Sequence, residues 1–171
     1  MIPRVIIDTG PLFDLLLFRF WSEQGRTIDE NRLACRKQFN VSPEQISRFL
    51  GLCRGILFVP GVFVEVGRLA RDKIGHSAGR PRGMPLTPFW RIAIRELQQM
   101  NADEKWARFL SLDHTLIEES GPTDAALIRC AEEMGEERVE ILTHDEALRG
   151  RCLRLHVSCI LTSEILERLY R

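Results

Sequence analysis

Four short apolar runs limit how this chain can fold: Val5-Ile6-Ile7, Ile56-Leu57-Phe58-Val59, Val139-Glu140-Ile141-Leu142 and residues 157–161. Each is too short for a core helix, and turn residues such as Gly10-Pro11 and Pro60-Gly61 bound them. Runs of this kind read as strands buried on both faces. The stretches between them carry apolar residues at helical spacing, and strands alternating with helices specify a parallel sheet with helices packed on it. The expectation is an α/β fold, a single-domain three-layer sandwich over residues 1–171. Its central sheet is mainly parallel, of four to five strands flanked by helices.

Residues 12–21 are apolar and expected to be helical, whereas residues 22–41 are mixed and carry no clear pattern. Ser42-Pro43-Glu44 opens a helix, with Ser as N-cap and Pro in its first turn, and Gly55 ends it. The helix after Pro60-Gly61 places Phe63, Val66, Leu69 and Ala70 on one face. Residues 75–88 hold three Gly and three Pro, the composition of a mobile loop. A helix is expected over residues 90–100, and residues 103–113 are expected to hold a helix and a short third strand at 109–112. Gly121-Pro122-Thr123 starts a further helix that runs to Gly135, and Ser163 is read as the cap of a terminal one.

Lys plus Arg and Asp plus Glu both count 24, so no general affinity for polyanions follows from net charge. The five cysteines lack any CxxC pair and the four histidines do not stand at zinc-ligand spacing beside them. Scattered, odd in number and unpaired, they read as reduced and mostly buried thiols of a cytoplasmic protein. The apolar N-terminus is interrupted by Asp8 and Asp14, which argues against a signal peptide and against a membrane span.

The informative residues are acids in apolar surroundings. Asp8 directly follows Val5-Ile6-Ile7, and Glu65 is the only charge in Pro60-Gly61-Val62-Phe63-Val64-Glu65-Val66. Burial disfavours the charged carboxylate, so such an acid is either protonated or supplied with a cation. In parallel α/β sheets the ligand crevice lies beyond the C-terminal strand ends. Asp8 and Asp145 follow strands there, Glu65 lies a turn beyond another, and Asp124 reaches the same edge if its helix begins there. Four converging carboxylates repel one another unless a divalent cation lies between them, and oxygen-only ligands suit Mg2+ or Mn2+. Each acid also has a structural reading: Asp124 as a helix cap, Asp145 and Asp8 as turn residues. The case rests on the four together.

The blocks strand-Asp8-Thr9, strand-Pro60 with Glu65, Thr123-Asp124-Ala125-Ala126-Leu127 and strand-Thr143-x-Asp145-x-x-Leu148 resemble the PIN-domain nucleases, and among them the VapC-type toxin ribonucleases. The resemblance spans residues 5–161. It implies an endonuclease of single-stranded or structured RNA using one or two Mg2+ or Mn2+ ions, often a homodimer and often paired with an antitoxin protein. Asp8, Glu65, Asp124 and Asp145 match the family's acidic quartet, Thr143 its hydroxyl residue near the last acid, and Thr9 the small polar residue after the first. The chain departs from the pattern in its extra length at 22–41 and 75–88, and in His144.

The chemistry this implies is metal-assisted hydrolysis of RNA phosphodiester bonds. Asp8, Asp124 and Asp145 are the expected metal ligands, and Glu65 holds or orients the metal or the water. Thr9 and Thr143 donate to ligand carboxylates. Between Val66 and Arg95 stand seven basic side chains against Asp72 alone, and Arg68 and Arg71 are the expected phosphate contacts. Phe89 and Trp90 are weighed as base-stacking residues against the commoner reading of core aromatics. Two other classes were considered. One is a non-catalytic RNA-binding or assembly module of the same fold. The other is an aspartic protease, suggested by Asp8-Thr9-Gly10, but the chain has one such triplet and is rich in helices.

Overall fold

The computed structural model describes residues 3–25, 29–75, 86–107, 114–135 and 138–170, without the side chains of residues 31 and 75. Five strands, β1 (Arg4–Ile7), β2 (Gly55–Phe58), β3 (Ala102–Glu104), β4 (Val139–Thr143) and β5 (Cys159–Leu161), form one sheet. Their order is β3-β2-β1-β4-β5 and every pair is parallel. The α/β expectation holds, and five strands is the upper of the two numbers expected. Val5, Ile6 and Ile7, together with all of β4, are buried, as strands covered on both faces must be.

Between β1 and β2 run α1 (Thr9–Glu23), α2 (Ala34–Phe39) and α3 (Pro43–Leu52). Between β2 and β3 run α4 (Pro60–Gly75) and α5 (Thr87–Gln99). The helix α6 (His114–Glu133) leads into β4, α7 (Glu146–Arg154) joins β4 to β5, and α8 (Ile165–Leu169) closes the described chain. The chain steps outward from β1 to β2 and β3, then crosses back to β4 and outward to β5. Because such crossovers are right-handed, the two sets of helices lie on opposite faces. The strand order reverses between β1 and β4, which makes their C-terminal ends the switch point of the sheet.

Local chemistry accounts for most boundaries. Ser42 and Gln45 form a reciprocal capping box at α3, with Pro43 behind the cap. Gly121, with φ 83° and ψ 163°, interrupts α6 in a conformation that favours glycine, so the helix restarts at Pro122. The third strand differs from expectation. It is Ala102–Glu104, an edge strand with two exposed acids and no apolar signal, pairing with β2 from Ile56 to Phe58. The expected strand at 109–112 lies outside the described residues, as do the interior of the expected 75–88 loop, Arg80 and Arg82. The 22–41 stretch contains α2 and a 3-10 turn at Glu30–Arg32. The last strand begins at Cys159 rather than 157, and Ser163 lies within a 3-10 turn, Thr162–Glu164, that leads into α8. Glu164 takes the capping role there, accepting from the Leu161 N–H at 3.1 Å.

All five cysteines are free. Among the described residues no helix is long and apolar enough to cross a membrane.

Candidate metal centre at the sheet switch point

Asp8 leaves the C-terminal end of β1 and caps α1. Its carboxylate is buried, with Oδ1 accepting from the Thr9 N–H at 2.6 Å and Oδ2 from the Thr143 hydroxyl at 2.6 Å. Thr143 ends β4, the neighbouring strand, so this second bond spans the switch point. The Thr143 oxygen also accepts from the Asp145 N–H at 2.9 Å. Asp145 caps α7, its Oδ1 accepting from the N–H groups of Ala147 (2.6 Å) and Leu148 (3.2 Å), and the residue is exposed. One fully buried hydroxyl therefore ties the first and last acids together.

Glu65 approaches from the second turn of α4. Its Oε2 accepts from the Thr9 hydroxyl at 3.0 Å and its Oε1 from the Thr123 hydroxyl at 2.6 Å. The helix entering β4 must run opposite to the strands and so begins at their C-terminal edge. That brings Thr123 and Asp124, just past the Gly121 break, to the site. The approach is close: a Cβ on Gly61 would stand 2.9 Å from the Thr123 hydroxyl oxygen, so α4 meets α6 here only with glycine at that position. Asp124 forms an ion pair with Arg151 of α7 at 3.2 Å, and the same guanidinium donates to the Glu119 carbonyl.

Asp124 and Asp8 sense the neighbouring acids. Burial pushes the Asp124 carboxyl up to about 7; the negative charges of Asp8 and then Asp145 push the same way, Arg151 opposes them, and Glu65 adds to the rise. Burial also raises the Asp8 carboxyl, against the hydrogen bonds from Thr143 and Thr9, and Glu65 raises it further. Among the described residues, Arg151 is the one cation ion-paired with any of the four. Among the same residues, no group of three or more His, Cys, Asp or Glu side chains stands close enough together to hold a metal ion.

All four predicted acids and both predicted threonines thus meet at one edge. Arg68 and Arg71 lie exposed on α4, in line with Val64 at spacings of four and seven. Arg95 instead pairs with Glu23, and Arg91 is exposed on α5. Phe89 is buried, and Trp90 packs on Phe63 (4.8 Å between ring centroids) and on Phe89 (5.4 Å), so both belong to the core.

Thr123, Arg151, Asp14 and Trp106 stand at the site or in its surroundings without having been expected there. Thr123 had a signal in its adjacency to Asp124. Asp14 had the same signal as Glu65, an acid in the apolar run Leu12-Phe13-Asp14-Leu15, and the structure gives it a structural answer. Its Oδ2 accepts from the Cys35 N–H at 2.6 Å and faces His144 Nε2 at 3.1 Å. His144 in turn touches the Thr162 hydroxyl at 2.7 Å and packs on Phe39. No spacing rule reveals Arg151.

No family model matches the chain, and no curated protein matches it.

Proposed function

We propose that the protein is a Mg2+- or Mn2+-dependent endoribonuclease of the PIN-domain kind. The observation that carries this reading is the convergence of Asp8, Glu65, Asp124 and Asp145 at the switch point, with Arg151 their one ion-pair partner among the described residues. Uncompensated charge of this sort favours a hard divalent cation, and the donor set, all carboxylate and hydroxyl oxygen, fits one. When bound, the ion supplies Lewis-acid charge for the phosphate and a water acidic enough to attack near neutral pH.

Asp8, Asp124 and Asp145 would hold the ion. Asp124 would offer the ion the carboxylate oxygen that Arg151 leaves free, since the guanidinium holds only Oδ2. Glu65, fixed between two threonine hydroxyls, would orient the attacking water and take its proton. Thr143 locks the Asp8 carboxylate and the Asp145 backbone in one arrangement, so that little reorganisation is left for the reaction. Arg68 and Arg71 would contact the RNA backbone. A toxin role with an antitoxin partner, and a homodimer, belong to this reading through the VapC resemblance.

The second reading, a non-catalytic RNA-binding or assembly module, is favoured by the Arg151–Asp124 pair, which already gives one acid a cation. Cleavage of RNA with Mn2+ separates the two. The nuclease reading expects cutting by the parent protein and none by Asp8→Asn or Asp124→Asn. Metal-independent cutting, or equal cutting by the variants, would overturn it.

A further inference from the structure

Beside the carboxylate edge lies a cleft of about 430 Å3 whose walls are Pro60, Val64, Trp106, Pro122 and Ala126. Trp106 is 68% exposed and Val64 72%, two large apolar side chains turned to water across one concavity. Glu65 and Thr123 also line this cleft, so it opens directly onto the acidic site. We propose that it is a subsite for one unpaired nucleobase of single-stranded nucleic acid, stacked on the Trp106 indole while the adjoining phosphate lies at the carboxylate edge. This rests on the nuclease reading for the position of the phosphate; the stacking itself does not.

Three observations point to a base. A flat, exposed aromatic over an apolar floor matches the π-face that every base offers, and stacking of this kind is tolerant of sequence. The walls are mostly apolar side chains, and the Glu65 carboxylate and Thr123 hydroxyl among them already hydrogen-bond with one another or with Thr9. The cleft therefore holds a base without reading its edge, and purines and pyrimidines should bind alike. Arg68 stands one helical turn beyond Val64 on the same exposed row of α4, where a cation is needed for a backbone leaving the cleft. A base inside a duplex cannot reach such a pocket, so the substrate is single-stranded at that nucleotide.

The test uses the full chain and a short labelled single-stranded oligoribonucleotide, bound in Ca2+ and cleaved separately in Mn2+. Trp106→Ala should weaken binding roughly 5- to 150-fold and raise KM with little change in kcat, while Trp106→Phe stays close to the parent. An oligonucleotide with an abasic site at the stacked position should bind the parent about as weakly as the intact one binds Trp106→Ala. Binding should quench tryptophan fluorescence in the parent and not in Trp106→Phe. Equal affinity for parent, Trp106→Ala and the abasic strand overturns the proposal, as does equal binding of a fully paired duplex. Unchanged oligonucleotide affinity with altered self-association in Trp106→Ala would assign the face to contact between copies, which also overturns it. A parent that binds with base-dependent quenching but never cleaves would keep the subsite and remove the nuclease reading. A parent that cleaves while Trp106→Ala has an unchanged KM does the reverse.

Discussion

Two buried carboxylates on adjacent strands meet opposite fates in this molecule. Glu140, beside Val5 in the β1–β4 pairing, is 3% exposed, and its Oε1 stands 3.7 Å from Arg138 and 3.5 Å from Arg168. Asp8, at the other end of the same pair of strands, is 8% exposed and is held by a backbone N–H and a threonine hydroxyl, with no ion pair among the described residues. Both interrupt apolar runs, and desolvation costs several kcal/mol for either charge. The difference lies in compensation. Glu140 has two arginines of its own chain. Asp8 and Glu65 have neutral donors that fix their geometry and leave their charge uncancelled. Burial of an acid alone does not mark a site: Glu140 is as buried as Asp8 and is answered by cations.

The sharpest expectation concerns Asp8→Asn. Mn2+-dependent RNA cleavage should fall by about 1,000-fold or more, while Tm holds or rises because an uncompensated buried charge is gone. A drop in Tm with cleavage intact would make Asp8 another Glu140.

Next comes the pH dependence of the metal-free protein. An acid raised to about 7 in the fold, against roughly 3.9 when unfolded, is favoured in its protonated form by the native state. The native state then holds more protons than the unfolded one between about pH 4 and pH 7, so stability falls as pH rises through that window. For Asp124 the ceiling is about 4 kcal/mol, at about 1.36 kcal/mol per unit. Urea unfolding in chelator should show this fall in the parent and a shallower one in Asp124→Asn, where the raised Asp8 carboxyl remains, and saturating Mn2+ should reverse it. A parent and variant with the same pH profile would mean that the acids do not press on one another.

Thr143→Val removes the hydroxyl shared by Asp8 and Asp145, and should weaken Mn2+ binding by roughly 10- to 100-fold, as losses of such supporting groups do. Calorimetric titration reads this directly, and unchanged affinity would show that Asp8 needs no such support. The smallest effect belongs to Glu140→Gln. Its arginines are 56% and 38% exposed, so solvent screening holds the loss to about 1 kcal/mol or less. It should appear as a small drop in Tm with cleavage unaffected.

Much of this was legible in the chain because strand burial leaves an apolar signature. Val5-Ile6-Ile7 and Val139–Thr143 announce central strands, and acids placed just after them must fall at the C-terminal edge of a parallel sheet. The edge strand Ala102–Glu104 carried no such signature, because three half-solvated residues can pair through their backbone with almost any side chains. The apolar-run argument chose Asp8 and Glu65, yet it applied equally to Asp14 and Glu140, and nothing in local spacing distinguished them. Trp106 carried no signal of its own, while Phe89 and Trp90, which stood next to a basic residue, went into the core.

The sequence by itself determined the alternation of strands and helices, and with it the edge of the sheet where Asp8, Glu65, Asp124 and Asp145 gather. These follow from hydrophobic periodicity and turn chemistry, which act over a few residues. Which acids meet a cation depended on partners far along the chain: Arg168 for Glu140 and Arg151 for Asp124, and for Asp8 the hydroxyl of Thr143 in place of a cation. Electrostatic compensation is a property of distances in space, and only the folded arrangement of β1, β4, α4 and α6 sets those distances.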